Sequence, residues 1–178
     1  MLFSEDILKE NKIEHFVDEH NNVYATKQES DSIPKNFYFP CVIAHTDTVH
    51  NIDTINVKEE MLPNTEGELK LSLKAYNDSG NPTGIGGDDK CGIFICLELL
   101  RTLSNVKVGL FVSEETGCHG SSKCDVKFLN DVGYIVQYDA PGNHLITELC
   151  SGIRLFEEKG DFINRALPVI ERTMETDM

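Results

Sequence analysis

Apolar residues come in short blocks along this chain, and the spacing within each block predicts a different element. Residues Ser4 to Lys12 suit a short helix, with Ser4 as N-cap and acids in the first turn where the helix dipole favours them. HFVDEHNNVYAT (15–26) alternates on either side of His20-Asn21-Asn22, which predicts a hairpin, because asparagine tolerates the positive φ of a tight turn. FYFPCVIAH (37–45) is continuous, aromatic and β-branched, as a strand buried on both faces requires. Between 51 and 80, ELKLSLKAY alternates and the breaks at Pro63-Asn64 and Asn77 to Gly80 predict a solvent-facing hairpin.

After the loop GNPTGIGG, residues Asp89 to Leu103 are apolar nearly all round, which predicts a helix packed deep against a sheet. VKVGLFVSEE (106–115) and GYIVQYDA (133–140) read as further buried strands. SSKCDVKFLN between them is placed as a crossover helix capped by Ser121 or Ser122. Phe162, Ala166, Val169 and Ile170 have helical spacing, with Pro168 as a break. Strand, helix, strand, helix, strand implies an α/β fold with a mostly parallel sheet covered by helices.

Composition narrows the class. With 178 residues, one domain spanning 1–178 is expected, without room for an inserted lid or dimerisation domain. The 16 Lys+Arg against 30 Asp+Glu leave a net charge of −14, which argues against nucleic acid as a partner. No apolar run reaches the ~18 residues of a membrane span, and the start MLFSEDILKENKI is acidic where a signal peptide is basic. The six cysteines are scattered without a CxxC pair, the pattern of reduced thiols in a cytoplasm.

Candidate chemistry collects at the predicted strand ends, where the loops of an open parallel sheet converge on one crevice. There the chain places His45-Thr46-Asp47, Asp88-Asp89, Glu114-Glu115 and Asp139. So many carboxylates around one imidazole repel one another at low dielectric, and a divalent cation removes the conflict. Imidazole with carboxylate suits zinc, with manganese or cobalt as alternatives. The loop GNPTGIGGDDK lacks the spacing of a phosphate-binding loop.

With AHTDTV (44–49), GIGGDDKCG (84–92), SEETG (113–117) and YDAPG (138–142) in that order, the chain resembles peptidase T and the wider clan of co-catalytic zinc aminopeptidases, carboxypeptidases and deacylases. The motifs cover about residues 40–142. The resemblance implies a three-layer zinc-aminopeptidase-like (phosphorylase/hydrolase-like) fold and a pair of zinc ions. It implies that His45 and Asp139 bind the first metal, that Asp88 bridges the two, and that Glu115 binds the second. Asp47 would orient the His45 ring, Glu114 would be the general base, and the Asp88–Asp89 peptide would be cis. The implied reaction is hydrolysis of a peptide or amide bond at a chain terminus through a metal-activated water. The substrate would be a small peptide or an acyl amino acid.

One departure from the pattern stands out. The clan carries a further histidine near its C-terminus for the second metal, and no histidine follows His144 here. The chain therefore reads as a minimal catalytic domain in which His50, His119 or His144 would have to substitute. Two alternatives follow: an inactive metal-binding or structural fragment of such an enzyme, and a deacylase of small N-acyl amino acids.

Overall fold

The computed structural model describes residues 2–29, 34, 37–49, 55–64, 66–139, 149–150 and 153–154. Two compact units are distinguished, Met1–Asp139 and Ala140–Met178. In the first, the chain runs α1 (Leu2–Glu10), β1 (Glu14–Val17), β2 (Val23–Gln28), β3 (Phe39–His45), β4 (Asn56–Pro63), β5 (Leu69–Tyr76), β6 (Pro82–Thr83), α2 (Gly87–Thr102), β7 (Asn105–Phe111) and β8 (Val132–Gln137). In the second, the described residues form an antiparallel pair, β9 (Leu149–Cys150) with β10 (Ile153–Arg154). The predicted C-terminal helix with its Pro168 break lies outside the described residues, as do His50 and His144.

The central sheet has strand order β1-β2-β7-β3-β8. β7, β3 and β8 run parallel, while β2 pairs antiparallel with β7 and β1 antiparallel with β2. Alternation along β7 sets the two layers. Val106, Val108 and Leu110 point to the face covered by α1 and α2, where they join Leu8, Val42, Ala44, Cys96 and Leu100 in one apolar cluster. Fully burying each Val or Leu contributes about 1.5–3 kcal/mol. Phe111 points to the opposite face and packs with Tyr24, Cys41 and Phe128. Lys107 also points there, and its buried ammonium donates to the Phe128 carbonyl at 2.8 Å and pairs with Asp131. β4, β5 and β6 form a separate three-stranded sheet, the predicted hairpin with one added strand.

Several local expectations change. Helix α1 begins at Leu2, so Ser4 lies inside it, and Lys12 ends it in a left-handed conformation with φ 55°. Asn21 takes the positive φ, 68°, that the hairpin turn needs. Helix α2 is buried along Gly92, Cys96 and Leu100 and leaves Phe94 63% exposed, so it is half-covered rather than enclosed. The segment after β7 forms two 3-10 turns, Ser121–Lys123 and Val126–Leu129, in place of a crossover helix. The serines cap neither turn; the Asp125 side chain caps the second by accepting from the Lys127 amide at 3.0 Å.

Candidate metal centre

Three strand ends and one helix start bring the acidic motifs together. His45 closes β3, Asp139 follows β8 by two residues, Glu114 and Glu115 follow β7, and Asp88 and Asp89 stand at the start of α2. The Asp88–Asp89 peptide is cis, as the resemblance implied. His45 is only 2% exposed. Its Nδ1 lies 3.0 Å from the Asp47 carbonyl oxygen, and a carbonyl only accepts, so Nδ1 carries a proton and Nε2 faces the crevice. Nε2 is 2.9 Å from Asp88 Oδ1, 3.7 Å from Asp139 Oδ1 and 3.9 Å from Glu114 Oε2.

The electrostatics of this crevice are unbalanced. Burial alone would push the His45 ring down, yet its hydrogen bond to Asp88 and the charges of Asp139, Asp89 and Glu114 lift it above the ordinary imidazole value. Asp139 is raised by burial first and then by Asp88 and Glu114, against the counter-effects of His45 and of Gln137, whose amide donates to it at 2.7 Å. Besides burial, the two shifts share one cause, the carboxylate charges that converge on the ring nitrogen.

Two overlapping groups can hold a cation: His45 with Glu114 and Asp139, and His45 with Asp88 and Glu115. In each, one ligand atom per residue lies within 4.8 Å of the others. The four expected ligands are divided between these groups, Asp139 in the first, Asp88 and Glu115 in the second, and His45 in both. Glu114, expected as the base, lies among them rather than apart. His119 sits exposed on the loop after β7 and belongs to neither group.

Asp47 differs from its expected part. Its carboxylate is 3.5 Å from His45 Nδ1, while its own carbonyl makes the closer contact with that ring. The carboxylate instead accepts the backbone amides of Glu114 at 2.9 Å and Glu115 at 3.1 Å. This explains why the two glutamates are not on a strand. β7 stops at Phe111, Ser113 turns left-handed at φ 56°, and the freed amides aim at Asp47.

Asp89, grouped by the sequence with the candidate chemistry, has a structural part. It is 3% exposed, and its carboxylate accepts the His45 amide at 3.2 Å and the Gly92 amide at 2.9 Å. One side chain therefore joins the end of β3 to the first turn of α2. Burial is the main cause of its pKa rising to about 6. Gly92 leaves room for it: a Cβ there would sit 2.7 Å from Asp89 Cγ. Gly92→Ala is expected to cost about 1–3 kcal/mol through overpacking, measured as a lower denaturation midpoint at unchanged slope.

No protein-family model matches the chain, and no curated protein matches it either. Solved structures do match. A crystal structure of aminoacylhistidine dipeptidase from Vibrio alginolyticus superposes with a TM-score of 0.55 over 78% of this chain, at 19% sequence identity. The chain has a zinc-aminopeptidase-like fold. It spans 29% of the length of that dipeptidase chain. Within this fold the crevice occupies the place that doubly wound sheets reserve for ligands, beyond the carboxyl ends of the parallel strands. Among the described residues, no helix is long and apolar enough to cross a membrane.

Proposed function

We propose that the chain carries the centre of a metal-dependent hydrolase that cleaves a peptide or amide bond at a chain terminus, in the manner of peptidase T and its clan. The observation that carries this reading is the set of acceptor-only groups facing one another at the strand ends. Nε2 of a ring already protonated at Nδ1 looks onto the carboxylates of Asp88, Glu114 and Asp139. A proton or a cation must lie among them, and imidazole with carboxylate oxygens is a donor set for zinc, with manganese or cobalt as alternatives. A divalent cation there supplies Lewis acidity, polarising the scissile carbonyl and acidifying water.

The chain's own residues do the rest. His45, Asp88, Asp139 and Glu115 would hold the metal. Glu114 takes the proton of the attacking water and returns it to the leaving amine. Asp47 fixes the peptide that carries both glutamates. The substrate class is a small peptide or an N-acyl amino acid.

A second reading, metal binding without turnover, has one observation behind it. Both ligand groups draw on the same imidazole, His45. Zinc loading followed by desalting and native mass spectrometry, with a panel of dipeptides and N-acyl amino acids, separates the two. The hydrolase reading expects bound zinc and cleavage that a chelator abolishes and added zinc restores. Bound zinc with no cleavage across the panel selects the second reading, and no bound metal overturns both.

A further inference from the structure

Asn22 stands at the start of the chain, yet its side chain ends against the loop that carries Glu114 and Glu115. It is fully buried. Its Nδ2 donates to Asp18 Oδ2 at 2.9 Å and to the Gly120 carbonyl at 3.1 Å, and its Oδ1 accepts the Val112 amide at 3.3 Å. Val112 and Gly120 are the two ends of the loop, joined to each other by the Gly120 amide donating to the Val112 carbonyl at 2.9 Å. The side-chain amide therefore fastens both strands of the loop's base. There is no slack at this contact, because a Cβ at Gly120 would lie 2.7 Å from Asn22 Oδ1.

The orientation of Asn22 is itself fixed. Asp18 accepts its backbone amide at 2.9 Å as well as its Nδ2, and Tyr24 donates its hydroxyl to the same carboxylate at 3.0 Å. Tyr24 in turn accepts the Asp125 amide at 2.9 Å, beyond the far end of the loop. Inside the loop, Ser113, Gly117 and Cys118 take positive φ, and the amides of Gly117 and Cys118 both bond the Glu114 carbonyl. The His119 amide also donates to the Ser113 carbonyl at 3.0 Å, so the loop is tied within itself as well. From outside, Asp47 holds it at the Glu114 and Glu115 amides and Asn22 holds it at its base.

We infer that Asn22 is a positioning residue for Glu114 and Glu115, setting the place of the base and of a metal ligand through the loop's backbone. The inference rests on the hydrolase reading for what the two glutamates do. Truncating the side chain leaves the half-buried amide of Val112 and the buried carbonyl of Gly120 without this partner, so the loop loses its base clamp. A residue serving stability alone would lower the melting temperature and leave the loop's own properties in step with the rest of the fold.

The test compares Asn22→Ala with Val106→Ala, a cavity variant in the fully buried core on the α2 face of β7. Both are measured at equal distances below their own melting temperatures. For Asn22→Ala the affinity for Zn2+ is expected to fall at least tenfold, the visible absorption of the Co2+-loaded protein to change, and amide exchange over residues 113–119 to accelerate at least tenfold. For Val106→Ala the affinity is expected to stay within threefold, with no selective acceleration over 113–119. Identical behaviour of the two variants overturns the inference. If Asn22→Ala does not fold, Asn22→Ser takes its place with the same criteria. If the wild-type chain binds no metal, the hydrolase reading fails, and amide exchange over 113–119 alone decides whether Asn22 holds the loop.

Discussion

Glu114→Gln is expected to slow hydrolysis by about 10²–10⁴-fold while the zinc content of the protein stays the same. The substitution keeps the shape of the side chain and removes its ability to take a proton. The backbone at this position is held by Asp47 through the Glu114 amide at 2.9 Å, so the variant side chain starts from the same place. Only the protonatable oxygen is lost. Steady-state kinetics of the zinc-loaded variant, with metal content measured on the same sample, provide the check. Unchanged turnover would remove Glu114 from proton transfer. Loss of metal together with activity would instead make it a ligand, in the grouping of His45 with Glu114 and Asp139.

Asp89→Ala is expected to destabilise the protein by about 2–4 kcal/mol without removing any metal ligand. Its carboxylate satisfies two backbone amides, those of His45 and Gly92, in a place that is 3% exposed. Alanine leaves both without an acceptor and loosens the joint between β3 and α2. The effect also depends on pH, with a definite sign. The folded-state pKa of Asp89 is about 6, above the ordinary 3.8, so the folded protein keeps this proton where the unfolded chain has lost it. The stability that Asp89 contributes through protonation is complete below about 3.8 and is lost as pH rises through about 6. Denaturant unfolding in the presence of a chelator is expected to show the gap between wild type and Asp89→Ala narrowing over that interval. A gap that widens as pH rises would contradict the assignment.

How much of this was legible beforehand depended on the range of the interactions involved. β3 and β7 announce themselves through local apolar runs, because burial on both faces leaves a continuous apolar signature; β8 and α2 carry runs of the same kind yet are half-covered, with Tyr134, Ile135 and Phe94 exposed, so GYIVQYDA is a strand but not a buried one. His45, Glu114, Glu115 and Asp139 can be named from those runs, since each stands at or just past the end of one, while Asp88 and Asp89 stand just before one. What escaped were arrangements created by partners far along the chain. Glu114 and Glu115 looked like the end of a strand because VKVGLFV runs straight into them. They leave it because Asp47, 67 and 68 positions earlier, takes their amides. Asn22 looked like one more polar turn residue, and its partners at Val112 and Gly120 are 90 and 98 positions away. Nothing within a window of the sequence distinguishes that asparagine from an exposed one. The 3-10 turns after β7 differ from the expected helix on a smaller scale. Serines at the right spacing suggested caps, and the cap that forms is Asp125.

The strand order β1-β2-β7-β3-β8 has a consequence for how the chain is made. β7 is the keystone, since β2 lies along one of its edges and β3 along the other, and it follows both by a long stretch of chain. Until it emerges, β2 and β3 cannot belong to one sheet, and β3 carries two open edges, the second awaiting β8. At ~5–20 residues per second, the stretch from His45 to Asn105 takes roughly 3–12 s to synthesise. During that interval His45, at the end of β3, exists without Glu114 and Asp139, and the nascent chain exposes one of its most apolar strands.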